Sequence, residues 1–181
     1  VLAETGNVDT AYRLMLNETF PGWGYSIKNG ATTIWERWDG WTEEKGFQAP
    51  GMNSFNHYSL GAVSSWLMGG IAGIETDGVA YRKIVIKPLP GGGLSYAKGS
   101  FDSINGLIKS IWRHEGGVFV LDVTVPANTS ATVYVPTSCM CLEGISKIAK
   151  DKNYAKFIEY KDGYASFAVG SGDYKFESKL E

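Results

Sequence analysis

Tyr81-Arg82-Lys83-Ile84-Val85-Ile86-Lys87-Pro88-Leu89-Pro90-Gly91-Gly92-Gly93 is where the chain changes its period. Ile84 and Ile86 alternate with Lys83, Val85 and Lys87, which puts the isoleucines on one face of a strand. Proline and glycine then break the run. Beyond it the period of two returns repeatedly. Residues 107–112 alternate around Lys109, and Phe119, Leu121, Val123 and Val125 share one face of the next strand. Val133 and Val135 do the same before Pro136, and residues 157–160, 164–169 and 174–177 follow between Asp162-Gly163 and Gly170-Ser171-Gly172 turns. Short strands at this spacing predict an antiparallel β-sandwich over residues 79–181.

Upstream, over residues 1–78, the pattern is helical. Asn7-Val8-Asp9-Thr10 opens a helix that carries Ala11, Leu14 and Met15 at helical spacing, and Pro21-Gly22 stops it. Residues 23–48 show no steady period and read as an ordered loop with one short helix. A second helix is expected from Asn53 or Ser54, with Phe55, Tyr58, Ala62, Trp66 and Ile71 along one side. Gly61, Ala62, Ser64, Ser65, Gly69 and Gly70 point to close approach of neighbouring helices. The fold class is thus α then β.

Composition narrows the function classes. The 181 residues are 44% hydrophobic and 20% charged with a net charge of -2, which excludes a disordered chain. The same balance, with basic residues scattered, gives no electrostatic footprint for nucleic acid or an acidic membrane. The longest apolar segment, 62–74, is interrupted by Gly and Ser, so no membrane span is expected. Cys139 and Cys141 read as two free thiols: a disulfide between residues two apart on a strand has awkward geometry, and the nearest histidine, His114, is 25 residues away. No metal site or cofactor is expected, and phosphate-loop and nucleophile-elbow patterns are missing. The chain starts at Val1 and reads like a piece of a longer protein.

Chemistry concentrates in Gly30-Ala31-Thr32-Thr33-Ile34-Trp35-Glu36-Arg37-Trp38-Asp39-Gly40-Trp41. Trp35, Trp38 and Trp41 surround the Glu36–Arg37 pair and Asp39. Carbohydrate sites combine these types, because a sugar ring offers an apolar face to an indole and hydroxyls to charged groups. The other reading is that Glu36 and Arg37 are solvated loop charges and the tryptophans are core. His57, in Asn53-Ser54-Phe55-Asn56-His57-Tyr58, is either a structural residue in a helix's first turn or a second polar member of such a site. His114 reads as a surface residue before a hairpin turn, and Glu43-Glu44 as a solvated turn.

Ala31-Thr32-Thr33-Ile34-Trp35-Glu36-Arg37-Trp38, Ser54-Phe55-Asn56-His57-Tyr58 and Gly61-Ala62-Val63 closely resemble the bacterial α-L-rhamnosidases of glycoside hydrolase family 78. The resemblance extends over Ile84-Val85-Ile86-Lys87-Pro88 and Val169-Gly170-Ser171-Gly172-Asp173-Tyr174, nearly the whole chain. It implies the last helices of an (α/α)6 barrel followed by a Greek-key, jelly-roll-like β-sandwich. It implies an inverting hydrolase of terminal α-L-rhamnosyl residues, with Glu36 as general base, His57 contacting rhamnose, and Trp35, Arg37, Trp38 and Trp41 as wall residues. The general acid belongs to an earlier part of the barrel. The implied partners are therefore a rhamnose-containing glycoside and the N-terminal remainder of the same polypeptide, and the isolated chain is expected to be inactive. A non-catalytic carbohydrate-binding or structural C-terminal module is the alternative. Periplasmic, secreted and cytoplasmic locations in a bacterium all stay open.

Overall fold

Helix α1 (Val8–Met15) begins after Asn7, as the sequence predicts, although the Asn7 side chain turns back to the Thr5 carbonyl rather than capping the helix. The structure is a computed structural model that describes residues 1–49, 51–138, 146–149 and 155–180. Cys139 and Cys141 lie outside the described residues. By compactness the chain divides into Val1–Ser65 and Trp66–Glu181.

In the first unit α1 buries Tyr12 and leaves Leu14 half-exposed. The short helix expected in the next segment is α2 (Trp23–Lys28). After it come a small hairpin, β1 (Trp41–Thr42) and β2 (Gly46–Phe47), and then α3 (Tyr58–Gly61) and α4 (Val63–Trp66). The long helix expected from residue 53 is therefore shorter at its start. Residues 54–57 are held outside the helix instead: the Glu36 amide donates to Ser54 O (2.9 Å) and the His57 amide to Ile34 O (2.9 Å). His57 then caps α3, its Nδ1 accepting from the Ser59 amide.

The second unit opens with a π-helical turn, Leu67–Ile71. Its glycines do admit close neighbours, but within the unit: a Cβ on Gly69 would meet the Glu75 carboxylate at 2.6 Å. A Cβ on Gly70 would meet the Trp66 indole at 2.5 Å. The strands are β3 (Ile74–Thr76), β4 (Lys83–Ile86), β5 (Tyr96–Ser103), β6 (Gly106–Glu115), β7 (Val118–Val125), β8 (Ser130–Pro136), β9 (Ser146–Ala149), β10 (Lys156–Lys161), β11 (Tyr164–Val169) and β12 (Gly172–Lys179). They form two five-stranded sheets, ordered β10-β11-β8-β4-β3 and β5-β6-β7-β12-β9. Among the described residues the strand pairs are antiparallel except β4 with β8, which run parallel. That pairing departs from an all-antiparallel pattern because the chain leaves for the other sheet after β4 and returns only at β8.

Alternation places Ile84, Ile86, Ile108, Trp112, Phe119, Leu121, Val133, Val135, Phe167 and Phe176 in one buried layer. Phe167 of one sheet meets Phe176 of the other at 5.3 Å. Two buried polar side chains are satisfied by main-chain carbonyls: Trp112 Nε1 donates to Ile71 O (2.8 Å) and Ser110 Oγ to Ala72 O (2.6 Å), which tethers the segment before β3 to the core.

On the other face, Lys87 Nζ lies 5.2 Å from the Tyr134 ring and 5.1 Å from that of Tyr164. The Tyr164 hydroxyl donates to Pro88 O, and burial pushes its pKa from the usual 10.0 up to about 12. The folded value lies above the unfolded one, so this group's contribution is complete below about pH 10 and fades as pH climbs towards 12. Tyr164→Phe removes the titrating group and is expected to flatten that decline in urea unfolding curves recorded from pH 9 upward. An unchanged slope would count against the burial effect.

Candidate active site

The two segments that carry the motifs are joined by main-chain hydrogen bonds, Glu36 N to Ser54 O and His57 N to Ile34 O, and this brings Glu36 and His57 together. Ser54 holds Glu36 twice. Its carbonyl accepts from the Glu36 amide, and its own amide donates to Glu36 Oε2 at 2.8 Å. A carboxylate tied at one oxygen by a backbone donor keeps its orientation while the second oxygen stays available. That second oxygen, Oε1, lies 4.0 Å from His57 Nε2. The Glu36 side chain is 35% exposed and that of His57 28%, so solvent reaches both.

The His57 ring is oriented by its capping role. Because Nδ1 accepts from the Ser59 amide at 3.2 Å, a neutral His57 carries its proton on Nε2, the nitrogen that faces Glu36. Tyr58, almost fully exposed, stacks on the His57 ring at 4.9 Å with an interplanar angle of 19°. Ser54, which the sequence marks only as a helix start, Tyr58 and Ser59 are not assigned to the site by residue type. Two of them act through main-chain amides, which leave no trace in residue type; the aromatic Tyr58 was read as a helix-face residue.

The other candidates divide. Trp35 is 7% exposed and meets Phe55 edge-on at 5.7 Å, so its indole is a core element that braces the Glu36 segment. Trp38 meets Trp23 edge-on at 5.0 Å, and Trp23 Nε1 donates to Leu60 O. Trp41 sits in β1, opposite Phe47 in β2. Arg37 turns to Asp39, with Nε on Oδ1 at 3.0 Å and Nη2 on Oδ2 at 2.9 Å. Both Asp39 oxygens are thereby engaged. Glu43 and Glu44 are exposed between β1 and β2, as expected of a solvated turn.

A cleft of about 260 Å³ is lined by Trp23, Ile27, Ile34, Trp35, Trp38 and Leu60 among others, but neither Glu36 nor His57 lines it. In the second unit His114 is half-buried rather than a free surface residue, because its Nε2 lies 3.0 Å from Leu180 O. Among the described residues no three His, Cys, Asp or Glu side chains converge as metal ligands, and no helix is long and apolar enough to cross a membrane.

The arrangement matches known proteins over its whole extent. Residues 1–71 match the model of the bacterial alpha-L-rhamnosidase 6 hairpin glycosidase domain, and residues 73–147 that of the bacterial alpha-L-rhamnosidase C-terminal domain. An alpha-L-rhamnosidase of Streptomyces avermitilis is 43% identical over 97% of this chain, which spans 16% of that protein. One from Formosa agariphila is 36% identical over 99% of the chain, or 19% of its own length. The crystal structure of the Streptomyces avermitilis alpha-L-rhamnosidase complexed with L-rhamnose superposes with a TM-score of 0.89 over 98% of this chain and 17% of that one. That of an alpha-L-rhamnosidase from Aspergillus terreus does so with 0.79 at 32% identity, over 98% of this chain and 18% of the other. The two adjoining domain matches and the similarity to α-L-rhamnosidases over nearly all of its length establish that the chain belongs to the bacterial α-L-rhamnosidases of glycoside hydrolase family 78.

Proposed function

We propose that the chain supplies the general base of an inverting α-L-rhamnosidase, with Glu36 as that base. The observation that carries the proposal is the half-tied carboxylate: Ser54 holds Oε2, while Oε1 is free and faces a histidine N–H. In an inverting hydrolysis Oε1 takes a proton from the attacking water as that water adds to the anomeric carbon. A separate carboxylic acid protonates the departing oxygen. The two carboxyls stand roughly 6.5–9.5 Å apart to leave room for the water.

His57, with Nε2–H directed toward this space, contacts a hydroxyl of the rhamnose. Arg37, Trp38 and Trp41 form the wall near the sugar, and the buried Trp35 keeps that wall in register with Glu36. Asp39 does not serve as the acid, because both its oxygens accept from Arg37. The acid comes from polypeptide outside these 181 residues, a reading supported by the 16–19% of their length that the chain spans in its relatives. Within the complete enzyme we assign the first unit to the last helices of an (α/α)6 barrel and the two sheets to a β-sandwich of Greek-key, jelly-roll-like course. The repeated crossing of the chain between the sheets supports the latter.

Two measurements test this. The purified 181-residue chain is expected to release no L-rhamnose from p-nitrophenyl α-L-rhamnoside; measurable turnover would show that it holds its own acid. In the complete enzyme the first product seen by proton NMR should be the β-anomer. Initial release of the α-anomer would overturn the single-displacement scheme.

A further inference from the structure

The geometry points to a second carbohydrate site, on the outer face of the β5-β6 hairpin, that takes an acidic oligosaccharide. It stands independently of Glu36 and goes beyond the catalytic reading. β5 is an edge strand of its sheet. Register places Tyr96 opposite Arg113 and Lys98 opposite Ile111, and the two-residue period turns these four to the same face. They line an open groove of about 570 Å³, larger than the tryptophan cleft of the first unit, which continues to His114 and Glu115 at the hairpin end. This volume lies within the range of small-ligand sites.

The chemistry along the groove is that of a sugar acid's partner. Tyr96 is 61% exposed and presents a planar apolar surface at the sheet edge, on which a pyranose face stacks. Lys98 Nζ stands 5.9 Å from that ring and has no carboxylate partner among the described residues. The Arg113 guanidinium makes one contact, Nη1 to Asp122 Oδ2 at 3.2 Å, which leaves further N–H donors on the groove side. A carboxylate or sulfate on a sugar therefore meets two cations beside an aromatic platform, and Glu115 accepts from ring hydroxyls. Elsewhere on the same face some polar groups pair with one another. Lys175 pairs with Glu177 there, and Thr124 donates to Asp173. Within the groove an exposed ring and a cation without a carboxylate partner adjoin.

The test is affinity electrophoresis of the whole 181-residue chain in native gels containing a polysaccharide of rhamnose and uronic acid residues. Parallel gels contain the same polymer with its carboxyls reduced to alcohols, or a neutral glucan. The expected result is retardation by the acidic polymer, about tenfold weaker for Tyr96→Ala and for Lys98→Ala with Arg113→Ala, and retained in Tyr96→Phe and Glu36→Gln. Tyr96, Lys98 and Arg113 are all exposed, and unchanged thermal unfolding of each variant confirms that the fold persists. Equal mobility in all gels overturns the site. Equal retardation by the reduced polymer overturns the acidic ligand, and loss of binding in Glu36→Gln moves the sugar to the catalytic unit.

Discussion

Glu36→Gln in the complete rhamnosidase is expected to lower kcat by about 10²–10⁴-fold, the usual contribution of a positioned general base, with KM little changed. The substitution is nearly isosteric. A Gln side-chain oxygen still accepts from the Ser54 amide, and the backbone link between the Glu36 amide and Ser54 O is untouched. What is lost is the ability of the free oxygen to take a proton from water. Steady-state kinetics on an aryl rhamnoside measure this, with thermal unfolding as the control for local structure. Turnover within a few fold of the parent enzyme would remove Glu36 from the reaction.

The largest effect on stability is expected at Gly73. Its φ is +73°, and a Cβ there would lie 2.2 Å from Pro88 N and 2.4 Å from Lys87 C. Both obstacles are backbone, so nothing flexible can move aside. Gly73 also leads into β3, and its carbonyl accepts from the Lys87 amide at 2.8 Å, so the clash falls where the β3–β4 pairing begins. Left-handed strain and overpacking together put the cost of Gly73→Ala at about 4 kcal/mol. Gly163 has a similar φ, +79°, but open space around its Cβ position, so Gly163→Ala should cost only about 1 kcal/mol of strain. Urea unfolding of the two variants compares them directly. Similar losses at both sites would show that conformation, not the Pro88 backbone, sets the cost.

Strands with a strong apolar period were legible from residue type: β4, β7 and β8 bury the alternate residues that the pattern nominated, and β6, β11 and β12 fall where period-two runs were read. β5 was not. Its inward positions are Ala97, Gly99 and Phe101, and the glycine is there because a Cβ would sit 2.4 Å from that of Ala72. A strand thinned to admit a neighbouring backbone loses the signal that identifies it. β3 escaped for a related reason: three residues are too few to show a period, and its place follows from pairing with β4. The change of period marks residue 78, whereas compactness divides the chain between Ser65 and Trp66. Ile71, Ala72 and Ile74 are buried with the sheets although the segment reads as helix.

At the site, residue type alone marked Glu36, His57 and the tryptophans, because few other roles gather carboxylate, imidazole and indole in short motifs. It could not say which indole is buried in the core. The Trp35 environment depends on Phe55, twenty residues away, and only the folded chain supplies it. Nor could it show that one oxygen of Glu36 is tied while the other is free. That distinction rests on a Ser54 amide, and every residue except proline has one. The sequence by itself thus determined the family, the order of helical and β regions and the candidate site residues, because these follow from side-chain chemistry and its period. The tertiary structure decided orientation and tautomer, since both depend on main-chain donors brought close from distant positions.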